Sequence, residues 1–250
     1  MILDVAGVSF RYGSAAVLDD ITFAAGPGDV VAVMGPNGVG KTTLLKCINR
    51  IHRAAGGHIA VTGTDIGTAK PATIARLVGY VPQSGRVSGA TVFESVLLGR
   101  KPRMGADLTP VDLHITGRII DLLGLTSLAQ RPVDEISGGE YQLVQIGRAL
   151  AQQPQVLIMD EPTSNLDLKN QHLVMRVLNG LVRRNGMCAV MVNHDLNLAL
   201  CYSNRFVMMS GGRIFAAGGR EVITPANMSA VYGLPVDVIE VKGRPLVVPR

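Results

Sequence analysis

The residues Gly35-Pro36-Asn37-Gly38-Val39-Gly40-Lys41-Thr42 fit the spacing GxxxxGK[ST], followed by Thr43 and a helical pattern reaching Asn49. Glycines at these positions let backbone N–H groups curl around phosphate oxygens, and the helix start adds its positive dipole end. A lysine in this place reaches the β- and γ-phosphates, and the hydroxyl of Thr42 is suited to a Mg²⁺ ion. The apolar run Val30–Met34 directly before the loop supplies the strand that the motif requires. This loop predicts binding of a nucleoside triphosphate.

A second apolar run, Val156–Met159, ends in Asp160-Glu161. Ionised carboxylates are costly to desolvate, so a pair at the end of a buried strand points to use. Asp160 is placed to face the Mg²⁺ site, and Glu161, one step on, to polarise an attacking water.

Ser137-Gly138-Gly139-Glu140 precedes a further helical run. Ser-x-x-Glu before an apolar helix reads as a capping box. Capping does not require two glycines, each of which costs about 1 kcal/mol in a helix relative to alanine. The glycine pair instead suits a ligand that approaches the backbone closely, and the helix start is a second anion site.

Ser137-Gly138-Gly139 about 20 residues before Asp160-Glu161, together with the phosphate loop, resembles the ABC ATPases over nearly the whole chain. The resemblance implies one ABC ATPase domain spanning 1–250, an α/β P-loop NTPase core with an antiparallel β edge and a helical subdomain. It implies that Gln83 is the Q-loop glutamine, serving catalysis and the Mg²⁺ site. Ser164-Asn165-Leu166-Asp167 resembles the D-loop, with Asp167 near the nucleotide. His194 resembles the switch histidine, and Tyr12 the aromatic that stacks on adenine. Ile136, Glu140 and Asn165 depart from the commonest family forms (leucine, glutamine and alanine), but the Ser-Gly-Gly core remains. The implied ligands are ATP and Mg²⁺. The implied assembly is a homodimer that sandwiches two ATP molecules, with Ser137, Gly138 and Gly139 of one copy closing over Lys41 of the other.

The same resemblance implies a motor subunit at the cytoplasmic face of a membrane, bound to integral-membrane permease subunits and indirectly served by a substrate-binding protein. Thr91 to Pro102 resembles the corresponding segment in importers of iron–siderophore, haem and cobalamin, with molybdate or tungstate importers a further possibility. A non-transport ABC ATPase is the competing class. The interval Thr43 to Ile136 is too short for the coiled-coil insertion of repair types and shows no sustained heptads. Ser84 to Arg103 is the expected docking segment, with Gly85, Gly89 and Gly99 as hinges. Its apolar residues Val87, Val92, Phe93, Val96 and Leu97 either line a groove for a partner helix or belong to the core.

Positioning this chemistry requires a sheet. Leu3 to Phe10 and Ile21–Phe23 read as paired strands, and apolar runs recur at Leu77–Val81, Ala189–Val192 and Phe206–Met209. Continuous apolar strands separated by helical patterns predict a parallel sheet covered on both faces. Val92 to Leu98, Leu113 to Leu123 and Tyr141 to Leu150 space apolar residues at three or four, so the helical subdomain is set at about 88–153. Val236 to Pro249 reads as a short hairpin around Lys242-Gly243.

Composition agrees with a well-buried α/β chain: 250 residues, 47% hydrophobic and 17% charged. No apolar run is long enough to span a bilayer, and the first residues lack the pattern of a signal peptide. Cys47, Cys188 and Cys201 have no metal-binding spacing and are expected as reduced thiols. The net charge is +5, but aromatics make up only 4% and no dense basic run occurs, so no nucleic-acid partner is expected.

Overall fold

The computed structural model describes residues 1–83, 89–105, 107–164 and 166–250. The chain opens with β1 (Leu3–Tyr12) and β2 (Ala15–Ala25), then β3 (Val30–Met34) and α1 (Lys41–Ile48). β4 (Gly56–Val61), β5 (Thr64–Asp65), α2 (Pro71–Leu77) and β6 (Val78–Val81) follow. Three helices come next: α3 (Val92–Leu97), α4 (Pro110–Leu122) and α5 (Gly138–Ala151). Then come β7 (Val156–Asp160), α6 (Leu168–Arg184), β8 (Cys188–Val192), α7 (Leu196–Tyr202), β9 (Arg205–Ser210) and β10 (Arg213–Gly218). The chain closes with α8 (Pro225–Tyr232), β11 (Val236–Val241) and β12 (Arg244–Pro249).

The central sheet has the order β10-β9-β3-β8-β7-β6. β9, β3, β8, β7 and β6 run parallel, and β10 is an antiparallel edge on β9. Side chains of its strands alternate between two separate cores. Ala32, Met34, Leu157, Met159, Met191 and Met208 pack on one face with the helical layer, including Val96, Ile146 and Leu178. Val31, Val33, Ile158, Val190 and Val207 pack on the other with α1 and an antiparallel sheet of order β2-β1-β4-β5. Burial on both faces explains why these strands read as unbroken apolar runs rather than alternating ones.

The elements differ from the sequence reading in instructive ways. Leu77 closes α2, and β6 starts at Val78, because Pro71 at the helix start and Ile74 facing the core set a helical turn that runs up to the strand. β2 is longer than Ile21–Phe23, pairing with β1 from Ala15↔Tyr12 to Ala25↔Leu3 through register shifts that blur the two-residue alternation. Val92 and Val96 are fully buried in the helical layer, and Phe93 packs against it. Val92 and Val96 thus belong to the core, Phe93 and Leu97 are half-buried, and Val87 and Gly85 lie outside the described residues. At Gly99 a Cβ would sit 2.0 Å from the Arg148 carbonyl oxygen, so this glycine marks close packing of the chain against α5. Among the described residues no helix is long and apolar enough to cross a membrane. Cys47, Cys188 and Cys201 are free thiols, and burial pushes Cys47 to about 11 and Cys188 to about 12.

Candidate functional site

The parallel strands deliver their chemistry at one edge. β3 runs into the loop Gly35–Gly40, β7 ends at Asp160, and β8 ends two residues before His194. Crevices at the carboxyl ends of parallel strands are where such sheets bind ligands.

The loop is held by sterics as much as by bonds. Gly35 has φ 143, and a Cβ on it would lie 2.4 Å from the carbonyl oxygen of Met209 in β9. Gly40 has φ 104, and a Cβ there would lie 2.8 Å from Leu18 and 3.0 Å from the Val17 carbonyl. Both positions therefore require glycine. Gly40 is the N-cap of α1, which begins without a side-chain cap and without an acidic residue in its first turn. Its leading amides are thus left for an anion. Val39 and Thr43 are buried and anchor the loop, while Pro36, Asn37 and Gly38 are exposed.

Lys41 Nζ donates to the carbonyl oxygens of Gly35 at 2.7 Å and Pro36 at 2.8 Å. Burial lowers the pKa of this ammonium, partly offset by the nearby Glu161 and Asp160 carboxylates. Thr42 Oγ1 donates to Asp160 Oδ1 at 3.1 Å. Asp160 is buried, and its pKa is raised chiefly by desolvation, against the Thr42 hydrogen bond. A cation beside it reverses that desolvation cost. Thr42 and Asp160 are hard oxygen donors, as Mg²⁺ prefers. The described residues hold no cluster of three or more His, Cys, Asp or Glu able to bind a metal alone. That donor set fits an ion shared with phosphate oxygens.

Glu161 is 8% exposed and has φ 55, a left-handed conformation uncommon for a non-glycine residue. Its N–H donates to Val192 O at 3.0 Å, tying the turn to the end of β8. Both carboxylate oxygens are engaged: Gln83 Nε2 donates to Oε2 at 2.6 Å, and His194 Nε2 lies 2.5 Å from Oε1. The His194 side chain is otherwise open to solvent, at 56%. Tyr12, Asn37, Lys41, Thr42, Glu161 and His194 line a common open cleft of about 470 Å³. A larger cleft of about 580 Å³ between Ile119 of α4 and Leu181 of α6 carries none of these groups.

Tyr12 is 51% exposed at the cleft mouth. Its hydroxyl lies 2.7 Å from His52 Nε2, and Phe10 stacks on the same imidazole at 5.0 Å. His52 was not evident from the sequence because it stands 40 residues from Tyr12. The hydrogen bond from Asn193 Nδ2 to Thr163 Oγ1 at 3.2 Å was also not evident.

Ser137, Gly138, Gly139 and Asp167 do not line the cleft. Ser137 caps α5: its Oγ accepts from Glu140 N at 3.3 Å, and Glu140 Oε2 accepts from Ser137 N at 2.8 Å. The glutamate at this position therefore closes a capping box, and its carboxyl is held below the usual range by these bonds. Ile136 packs against the core. Asp167 is exposed and caps α6 by accepting from Asn170 N at 2.8 Å. Asn165 lies outside the described residues.

The ABC transporter family profile matches residues 18–164, more than half of the chain. The chain is 47% identical to an uncharacterized ABC transporter ATP-binding protein of Methanocaldococcus jannaschii, over 100% of this chain and 98% of that one. It is 35% identical to the hemin import ATP-binding protein of Myxococcus xanthus, over 100% and 97% of the two chains. A solved inward-facing transporter assigned to the metal-chelate type superposes with a TM-score of 0.85 at 30% identity, covering 100% of this chain and 97% of that one.

Proposed function

The chain belongs to the ABC transporter family as an ATP-binding, ATP-hydrolysing subunit, and from that premise we propose that it powers uptake of a metal chelate through membrane-embedded permease subunits. The observation that carries the catalytic half is the convergence of Lys41, Thr42, Glu161 and His194 on one cleft, with Asp160 hydrogen-bonded to Thr42.

Lys41 exchanges its two carbonyl partners for the β- and γ-phosphate oxygens, while the amides of Gly38, Gly40 and the start of α1 hold the rest of the triphosphate. A bound Mg²⁺, held by Thr42, Asp160 and Gln83, would neutralise phosphate charge. Glu161 receives the proton of the attacking water, and His194 and Gln83 fix its carboxylate. Tyr12 offers a face to the adenine. Ser137, Gly138 and Gly139 do not line their own cleft and serve the cleft of a second copy, so the working unit is a two-fold dimer. Asp167 then lies at that junction.

Docking on a permease is supported at the C-terminal end of the expected segment, at Leu98 to Pro102, rather than at Val92, Phe93 and Val96. Pro71, Ala72 and Ala75 of α2 face Leu98, Lys101 and Pro102 across an open groove of about 540 Å³, with Leu98 half exposed. Its apolar walls and exposed lysine suit an amphipathic cytoplasmic helix. A haem, cobalamin or iron–siderophore cargo is supported by the likeness to the hemin import protein and the metal-chelate transporter.

The test is reconstitution of the chain with its permease and binding protein in vesicles. ATP-dependent uptake of haem, cobalamin or an iron–siderophore, abolished by Lys41→Ala, is expected. Uptake of molybdate instead would overturn the cargo, and ATP hydrolysis insensitive to Lys41→Ala would overturn the site.

A further inference from the structure

The phosphate loop has a contact from outside the nucleotide-binding motifs. The Gly35 N–H donates to the Tyr232 hydroxyl at 3.0 Å, across 197 residues of sequence. Tyr232 is the last residue of α8, seated by buried Met228 and Val231. The helix stops there because Gly233 takes φ 72 and closes onto Ser229 O at 2.9 Å. Val236 N then donates to Ser229 Oγ at 3.2 Å, fixing α8 to the hairpin β11–β12. The tyrosine is thus held from both sides of the turn.

Gly35 is pinned on three sides: by Met209 O behind its Cα, by Tyr232 at its N–H, and by Lys41 Nζ at its carbonyl. The residue that Tyr232 grips is therefore the one on which the phosphate-binding lysine rests. Burial pushes the Tyr232 phenol above its ordinary range, partly offset by the bond from Gly35 N–H.

We propose that Tyr232 is a positioning residue for ATP: its hydroxyl holds Gly35 and so keeps the loop in the conformation that receives the triphosphate. This rests on reading the cleft as the ATP site. Without the hydroxyl, the buried Gly35 N–H lacks this acceptor, and the loop gains a reason to leave its binding shape. Apparent affinity falls by the fraction of chains that remain competent, and a loss of roughly 5- to 10-fold is expected. Once ATP is bound the loop is held by phosphate, so turnover changes little.

The experiment compares wild type, Tyr232→Phe and Ser229→Ala in the permease complex, reading KM and kcat for ATP, with a fluorescent Mg·ATP analogue on the isolated chain. Tyr232→Phe keeps the ring and its packing, and is expected to raise KM about 5- to 10-fold with kcat within about twofold. Ser229→Ala removes a bond of the same segment but leaves the Tyr232 hydroxyl in place, and is expected to raise KM by less than about twofold. A wild-type KM in Tyr232→Phe, or an equal rise in Ser229→Ala, overturns the proposal. Hydrogen exchange on the wild-type chain gives an independent reading: slow exchange at Gly35 without nucleotide supports the contact, and fast exchange overturns it. If wild type itself fails to bind the analogue, the ATP-site reading falls and this proposal falls with it. A wild type that binds beside an unaffected Tyr232→Phe removes only the role of Tyr232.

Discussion

Glu161→Gln separates what the carboxylate does for structure from what it does for chemistry. Both oxygens are in use, one from Gln83 at 2.6 Å and the other 2.5 Å from His194. Glutamine has the same shape, but one oxygen becomes an NH₂ group. That group can face Gln83 if the Gln83 amide turns over, or His194 if the imidazole presents its unprotonated nitrogen. The cost to stability is at most about one hydrogen bond, about 1 kcal/mol, or a melting shift of about 2–4 °C for a chain of this size. The loss in turnover is larger, because the amide cannot take a proton from water. General-base catalysis contributes about 10²–10⁴ in rate, or about 2.7–5.4 kcal/mol of barrier at 1.36 kcal/mol per decade. The assay is single-turnover phosphate release from the permease complex, with analogue affinity measured on the same sample. Expected are near-wild-type affinity and release slowed at least about 100-fold. Release within about tenfold of wild type would refute the role of Glu161. A dissociation constant raised as much as the rate is lowered would show that Glu161 holds the nucleotide rather than the water.

Lys41→Ala removes the charged donor that rests on Gly35 and Pro36, and analogue affinity should fall about 10- to 100-fold with melting nearly unchanged, measured by fluorescence titration. Val92→Asp places a carboxylate in the helical-layer core and should lower stability by about 3–5 kcal/mol, a melting drop on the order of 10 °C, read by calorimetry. Leu98→Asp, on the exposed groove, should leave melting and nucleotide affinity intact while the permease is lost in a pull-down. Ser137→Ala removes the cap of α5 at a cost of about 1 kcal/mol. It should spare analogue binding by the isolated chain while slowing phosphate release in the complex.

Much of the site was legible because its chemistry sits at strand ends that are apolar throughout. Val30–Met34 and Val156–Asp160 are buried residue by residue, so the point where polarity begins marks the edge that carries Lys41, Asp160 and Glu161. The box Ser137–Glu140 was legible for the same local reason: capping needs only residues three apart. What local pattern could not separate was a docking face from a core face. Val92 and Val96 lie on the stripe of α3 that meets α4 and α5, whereas the groove opens beyond the helix at Leu98 to Pro102. Contacts between distant segments were equally hidden. Nothing around Tyr232 marks it as a partner of Gly35, and nothing around His52 marks it as the neighbour of Tyr12. The antiparallel strand β10 escaped notice because its residues alternate between exposed and half-buried rather than forming an apolar run.

In the proposed working unit each cleft is completed by Ser137, Gly138 and Gly139 of a second copy. Light scattering on Glu161→Gln, with saturating Mg·ATP and then with Mg·ADP, tests it most directly. ATP, and not ADP, is expected to double the mass from that of the 26.4 kDa chain, and adding Ser137→Arg is expected to abolish the doubling. A mass that stays at one chain at every ATP concentration, or a doubling that survives Ser137→Arg, would contradict it.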